Sequence, residues 1–282
     1  MELILTLDVG TTSVKACLFD RQLRQTALTS REYALQTRGV CAEVEAQVYL
    51  DAAAQCILSL PAEARARVCA VALTTQGETL LCVDRQGKAL RPAIVWLDSR
   101  AEAQAARLAA ALDRQRFYER TGLPELSGAL PLAKLLWLRE QEPESWARTD
   151  KFLLLEDYLM LWLTGRAVTE KSLLTSTGYF DLQSDDYWDE ALALAELDRT
   201  RLPQALACGS IVGPVLPEVA EALGLPASAC VVTGAMDQTA AALAAGCTRP
   251  GTLCETTGTA MVAAAFTAHP QFSEDHHVTI YR

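Results

Sequence analysis

Leu3-Ile4-Leu5-Thr6-Leu7-Asp8-Val9-Gly10-Thr11-Thr12-Ser13-Val14-Lys15-Ala16-Cys17 is the stretch on which the reading of this chain turns. An apolar run rich in β-formers ends on one carboxylate. A Gly-Thr-Thr-Ser turn follows, and a second apolar run from Val14 to Phe19 returns as the other strand of a hairpin. Asp8 is thereby placed at a strand tip, beside small side chains, hydroxyls and backbone N–H groups. That combination suits a phosphate with its magnesium, the amides and hydroxyls facing the anion and the carboxylate facing the hydrated metal. It is not the P-loop pattern, because no Gly-Lys-Ser/Thr follows a four-residue spacer. An ordinary hairpin has the same composition, so these residues alone leave both readings open.

Composition narrows the field. The 282 residues allow one large or two ordinary domains, and a hydrophobic share of 50% is ample for a buried core. A formal charge of -10 argues against a nucleic-acid or acidic-membrane partner. The nine cysteines lie mostly inside apolar runs without a CxxC pair, which reads as small buried hydrophobes in a reducing compartment. No stretch approaches 18 uninterrupted apolar residues and no signal-type core opens the chain, so a cytoplasmic protein is expected.

Working outward, Asp20 to Leu28 reads as a turn and a third strand, and residues 30–43 as polar and irregular. Glu45 to Leu60 carries apolar residues at helical spacing until Pro61 stops it. Arg67 to Thr74 reads as a buried strand ending in the polar cluster Thr75-Gln76-Gly77-Glu78-Thr79. Further strands are expected at Leu80 to Asp84 and Ala93 to Trp96, then an alanine-rich helix to about Leu112 with Asp98 or Ser99 as its N-cap. Residues 113–203 read as a mainly helical lid carrying no recognisable chemistry. Cys230 to Gly234 is a buried strand running into Asp237-Gln238 and a small-residue helix. Thr252 to Phe266 reads as two strands around a second turn, Thr256-Thr257-Gly258-Thr259, which echoes the first.

Two Thr/Gly turns near the ends of an α/β chain suggest half-sites closing on one phosphate chain, with polar clusters gathered at strand ends between them. This layout resembles the FGGY family of carbohydrate kinases, the group of ribulokinase, xylulokinase, glycerol kinase and gluconokinase. The resemblance runs from Asp8-Val9-Gly10-Thr11-Thr12 to Thr257-Gly258-Thr259, and its most specific blocks are Val95-Trp96-Leu97-Asp98-Ser99-Arg100 and Gly234-Ala235-Met236-Asp237-Gln238. It implies an actin-like ATPase (ribonuclease H-like) α/β fold with a mixed sheet flanked by helices. It also implies a domain at 1–248 with the helical insertion at about 113–203, and the beginning of a second, incomplete domain at 249–282.

The resemblance implies a kinase that uses ATP and Mg2+ to phosphorylate a hydroxyl of a ketose or polyol. Asp237 is then the general base, although as a residue opening a helix it is also a natural N-cap. The helix N-terminus is expected to keep its carboxylate ionised. Asp8 holds the metal. Gly10, Thr11 and Thr12 face the ATP phosphates from one side, Gly258 and Thr259 from the other; Lys15 is a phosphate ligand or points to solvent. Gln76, Gly77, Glu78, Trp96, Asp237 and Gln238 line the acceptor pocket, with Trp96 packing on sugar C–H faces or simply in the core.

Glycerol kinases carry an arginine where Gly77 stands, and xylulokinases typically carry Met-His-Gly. Gly77 is therefore expected to leave room for an acceptor longer than glycerol, and the absence of Met-His argues against D-xylulose. Family members continue with a second domain, so this chain is expected to keep the acceptor site and half of the phosphate site and to turn over ATP poorly alone. An apolar edge is expected near Met261 to Phe266, with a homodimer left open. Two other classes compete: a non-catalytic sugar- or nucleotide-sensing module, opposed by the intact Asp237, and an actin- or chaperone-type ATPase, opposed by Gln76, Glu78 and Trp96.

Overall fold

The Leu3–Val9 strand alternates buried Leu3, Leu5, Leu7 and Val9 with half-buried residues, the pattern of a strand with one face in the core. In the computed structural model, which describes residues 2–257 and 261–281, this strand lies inside a six-stranded sheet. The strand order is Ile211–Pro214, Cys230–Met236, Val68–Thr75, Leu3–Val9, Ser13–Phe19 and Gln25–Glu32. Cys230–Met236, Val68–Thr75 and Leu3–Val9 run parallel, and the outer strands are antiparallel to their neighbours. This is the mixed α/β sheet expected. Helix Ala46–Leu58 covers the hairpin strands and buries Tyr49, Ala53, Cys56 and Ile57 against them. The hairpin and the flanking helix therefore hold Asp8 at the edge of a packed core.

Three expectations are corrected. Residues 30–43 are not irregular: the third strand extends to Glu32, and Gln36–Arg38 and Cys41–Val44 form a hairpin. Their polar residues occupy exposed edge positions while Ala42 and Val44 point into the core, a period-two pattern interrupted by too many polar residues to stand out. Asp98 and Ser99 cap no helix. The helix starts later, at Glu102–Ala111 with Ala101 in the cap position, and Asp98 is fully buried with Arg100 instead. Not all cysteines are buried, since Cys69 and Cys208 are exposed; every cysteine is a free thiol.

Residues 113–203 are mainly helical, as expected, but they also contribute to sheets. Lys151–Leu154 joins a second, five-stranded sheet by pairing with Leu80–Val83. Helices Pro131–Gln141 and Leu155–Thr164 then pack beside it, the first around Leu132, Leu135 and Leu138, the second around Leu155, Leu159 and Leu163. The insertion is thus fused to the core behind the strand ends. The strands Leu253–Thr257 and Met261–Ala265 pair only with each other among the described residues, and Leu253 and Met261 are exposed, in keeping with the apolar edge expected there. No helix among the described residues is long and apolar enough to cross a membrane.

Candidate active site

Register brings the site together. Asp8 and Val9 lie opposite Thr74 and Thr75 on one side, and Ala235 and Met236 lie opposite the same two threonines on the other. The carboxyl ends of three parallel strands therefore stop level, and Asp8, Gln76 and Asp237 emerge from adjacent strands. Thr74 Oγ1 donates to the Ala235 carbonyl at 2.7 Å and Gln76 N to the Val9 carbonyl at 3.1 Å, so the strand ends are also tied crosswise.

The Gly10–Thr12 turn is braced from two directions. Tyr33, in the stretch expected to be irregular, donates its hydroxyl to the Gly10 carbonyl and its amide to the Thr12 carbonyl. Trp96 donates its indole N–H to Thr11 Oγ1 at 2.9 Å. No acceptor is paired with the amides of Thr11 and Thr12 among the described residues, which leaves them free for an anion. Lys15 pairs with Asp8 at 3.3 Å across the hairpin, with both side chains substantially exposed. Gly258 and Thr259, the second phosphate turn of the sequence reading, lie outside the described residues.

Asp237 is the first residue of the helix Asp237–Ala244; Met236 takes the cap position, and the carboxylate accepts the Gln238 amide at 2.6 Å. Its carboxyl is raised above the ordinary aspartate range. Burial is the main cause; the Gln238 amide opposes it and the charge of Asp8 adds to it. Loss of solvent thus outweighs the Gln238 amide in setting its affinity for protons. A raised carboxyl is a stronger proton acceptor.

Near Asp237 stands Glu78, half-buried and in the left-handed region with φ of 55°. Burial pushes its carboxyl up, Lys134 and a Ser176 hydroxyl hydrogen bond pull it down, and Asp237 raises it again. Gln76 is buried, with Nε2 towards Tyr49 Oη at 3.5 Å, and its Oε1 has no hydrogen-bond partner among the described residues. An acceptor left unpaired in the core costs about 1–3 kcal/mol, so this oxygen asks for a donor. Gly77 is flanked by this chain's own side chains. A Cβ there would meet Met236 Sδ and Ser176 Oγ at 3.1 Å, so the missing side chain makes room for this chain's own residues.

The insertion, read as a lid without chemistry, supplies several of the groups behind the site. Lys134 is fully buried and donates to the carbonyls of Glu78 at 3.2 Å and Val95 at 3.0 Å. The strand leading to Asp237 slips register between Val232 and Ala235. There Glu156 accepts the Gly234 amide at 3.0 Å, and Ser172 Oγ accepts the Met236 amide at 3.0 Å while hydrogen-bonding Glu170. A Cβ on Gly234 would fall on the Leu73 carbonyl, 1.3 Å away, so only glycine fits this close approach. A lone apolar-helix lysine and scattered Glu and Ser residues gave no periodic signal for any of this.

A family model for the N-terminal domain of the FGGY carbohydrate kinases matches residues 3–244. The chain belongs to this family. A xylulose kinase of Lactococcus lactis is 32% identical over 250 residues, covering 87% of this chain and 50% of that protein. A gluconokinase of Bacillus subtilis is 26% identical over 283 residues, covering 99% and 54%. The fold matches that of a xylulose kinase from Lactobacillus acidophilus with a TM-score of 0.94, over 100% of this chain and 58% of that one, at 23% identity. The FGGY chain thus spans about half the length of the curated relatives it matches. The expected family and fold are both confirmed.

Proposed function

We propose that this chain is the acceptor-binding and first phosphate-binding part of an ATP-dependent carbohydrate kinase, resident in the cytoplasm, with a domain boundary near residue 248. It would act on a hydroxyl of a ketose or polyol. The observation that carries this reading is the level ending of three adjacent strands, which brings the Asp8 turn, the Gln76–Glu78 cluster with its orphaned Gln76 oxygen, and Asp237 to one sheet margin.

The donor set fits the nucleotide. Unpaired amides of Thr11 and Thr12 and the Thr11 hydroxyl suit phosphate oxygens, and Asp8, a single half-exposed carboxylate, suits a hydrated Mg2+ whose other ligands are water and phosphate. Magnesium, when bound, would offset negative charge on the transferring phosphoryl group. Lys15 is then free to move from Asp8 to a phosphate, and Gly10 lets the turn approach closely. Gly258 and Thr259 are assigned to the opposite phosphate face on the family resemblance alone.

On the acceptor side, Gln76 Oε1, the Glu78 carboxylate and Gln238 take hydroxyls pairwise, with Gly77 forming the backbone between them. Trp96 offers its ring to C–H faces. Asp237 withdraws the proton from the attacking hydroxyl, and the raised affinity of its carboxyl for protons favours that transfer.

The deciding experiment is a thermal-shift panel of ketopentoses, ketohexoses, tetritols, glycerol and aldonic acids on wild type and Glu78→Ala. A true acceptor at a hundredfold over its Kd adds about 2.7 kcal/mol of stability. Stabilisation by one class that vanishes in the variant supports the pocket; no stabilisation by any sugar overturns it.

A further inference from the structure

Helix Pro131–Gln141 is built to be buried: Leu132, Ala133, Leu135, Leu136 and Leu138 all sit in the core. Lys134, among them, is fully buried too. A leucine there would bury as well without losing an ammonium's hydration, so the lysine answers a need for donors. Its Nζ donates to just two described groups, the Glu78 carbonyl at 3.2 Å and the Val95 carbonyl at 3.0 Å. These carbonyls belong to different loops. One follows the Val68–Thr75 strand and carries Gln76 and Glu78; the other follows Ala93–Ile94 and carries Trp96. Glu78 is also left-handed, a conformation a non-glycine residue keeps only when its surroundings hold it there.

We infer that Lys134 is the positioning residue of the acceptor pocket, one buried ammonium that clamps the Gln76–Thr79 loop to the Val95–Asp98 turn so that Glu78 and Trp96 face the acceptor at a set separation. Lys134 touches no acceptor itself. Its charge is tolerated because the Glu78 and Asp98 carboxylates lie near it, against the repulsion of Arg100. Specificity for the acceptor thus depends on the insertion, although every proposed acceptor contact lies outside it. This inference rests on the acceptor-site reading above.

The test uses Lys134→Met, close in length and without donors, and Lys134→Gln, which keeps a neutral donor. Amide hydrogen exchange without ligand is read at 76–79 and 95–98 and compared with the Leu3–Val9 strand. Titrations with the acceptor found by the panel and with Mg-ATP follow. The expected result for Lys134→Met is exchange at least tenfold faster in both loops and unchanged in the strand, with acceptor Kd raised at least tenfold and nucleotide Kd within twofold. Lys134→Gln should fall between it and wild type. Uniform acceleration across the chain, unaltered loops, or equal loss of both ligands overturns the inference. If wild type binds no acceptor, the acceptor-site reading fails and the pocket role with it, whereas loop exchange still reports whether the clamp exists.

Discussion

The indole Nε1 of Trp96 donates to the hydroxyl oxygen of Thr11 at 2.9 Å, across 85 residues of sequence. The residue proposed to wall the acceptor pocket is thereby tied to the turn proposed to face phosphate. Trp96 packs against the core from a half-buried position, so its ring and its donor serve different neighbours.

Replacing Trp96 by Phe keeps an aromatic wall and removes the donor. One hydrogen bond is worth about 1 kcal/mol net, so Mg-ATP affinity should fall roughly five-fold by the equivalence of 1.4 kcal/mol to a factor of ten. Acceptor affinity should change less. Calorimetric titration with each ligand separates the two, and equal losses would count against the separation of roles.

Asp237→Asn retains shape and one acceptor oxygen but loses the proposed base. If the proposed function holds, acceptor binding should survive within a few-fold, while phosphoryl transfer should fall by about 10²–10⁴. A variant with near-normal turnover would remove Asp237 from the mechanism.

Ser172→Ala takes away the oxygen that accepts the Met236 amide and the hydroxyl bonded to Glu170. Leaving a buried amide and a buried carboxylate short of partners costs about 1–3 kcal/mol. Urea denaturation should show that loss. Binding of the acceptor should weaken beyond what stability alone explains, because the amide precedes Asp237 directly.

Stability should fall as pH rises from about 4 to 7. Burial pushes Asp157 up to about 7, and Glu156 and Glu170 are raised by burial as well. The folded chain then holds protons that the unfolded chain has already released. For Asp157 this lowers stability by about 1.4 kcal/mol per pH unit between its ordinary range and about 7. Lys134, lowered to about 8 by burial, acts with the opposite sign and only above pH 8. Denaturation midpoints at pH 5, 6 and 7 should decline in wild type and decline less steeply in Asp157→Asn, which keeps the Leu154 amide contact.

Much of the site was legible because strand alternation and turn chemistry are written in neighbouring residues. Asp8, Gln76, Trp96 and Asp237 could each be placed at a strand end from the runs that precede them, and the structure brings Asp8, Gln76 and Asp237 to one sheet margin. Gly77 shows what a local sequence leaves open. A glycine announces that a Cβ is unwelcome, and only the packed neighbours Met236 and Ser176 tell whether substrate or protein fills the space.

The sequence by itself therefore determined the first hairpin, the parallel strand ends, the polar clusters on them and membership of the FGGY family. These rest on local periodicity and on short blocks read in order. Only the tertiary structure decided that Lys134, Glu156, Ser172 and Ser176 stand behind those clusters. Lys134 and Glu78 are 56 residues apart, and Glu156 and Gly234 are 78 apart. A buried polar group must find its partner wherever packing brings one, and no local pattern records which distant carbonyl or amide that is.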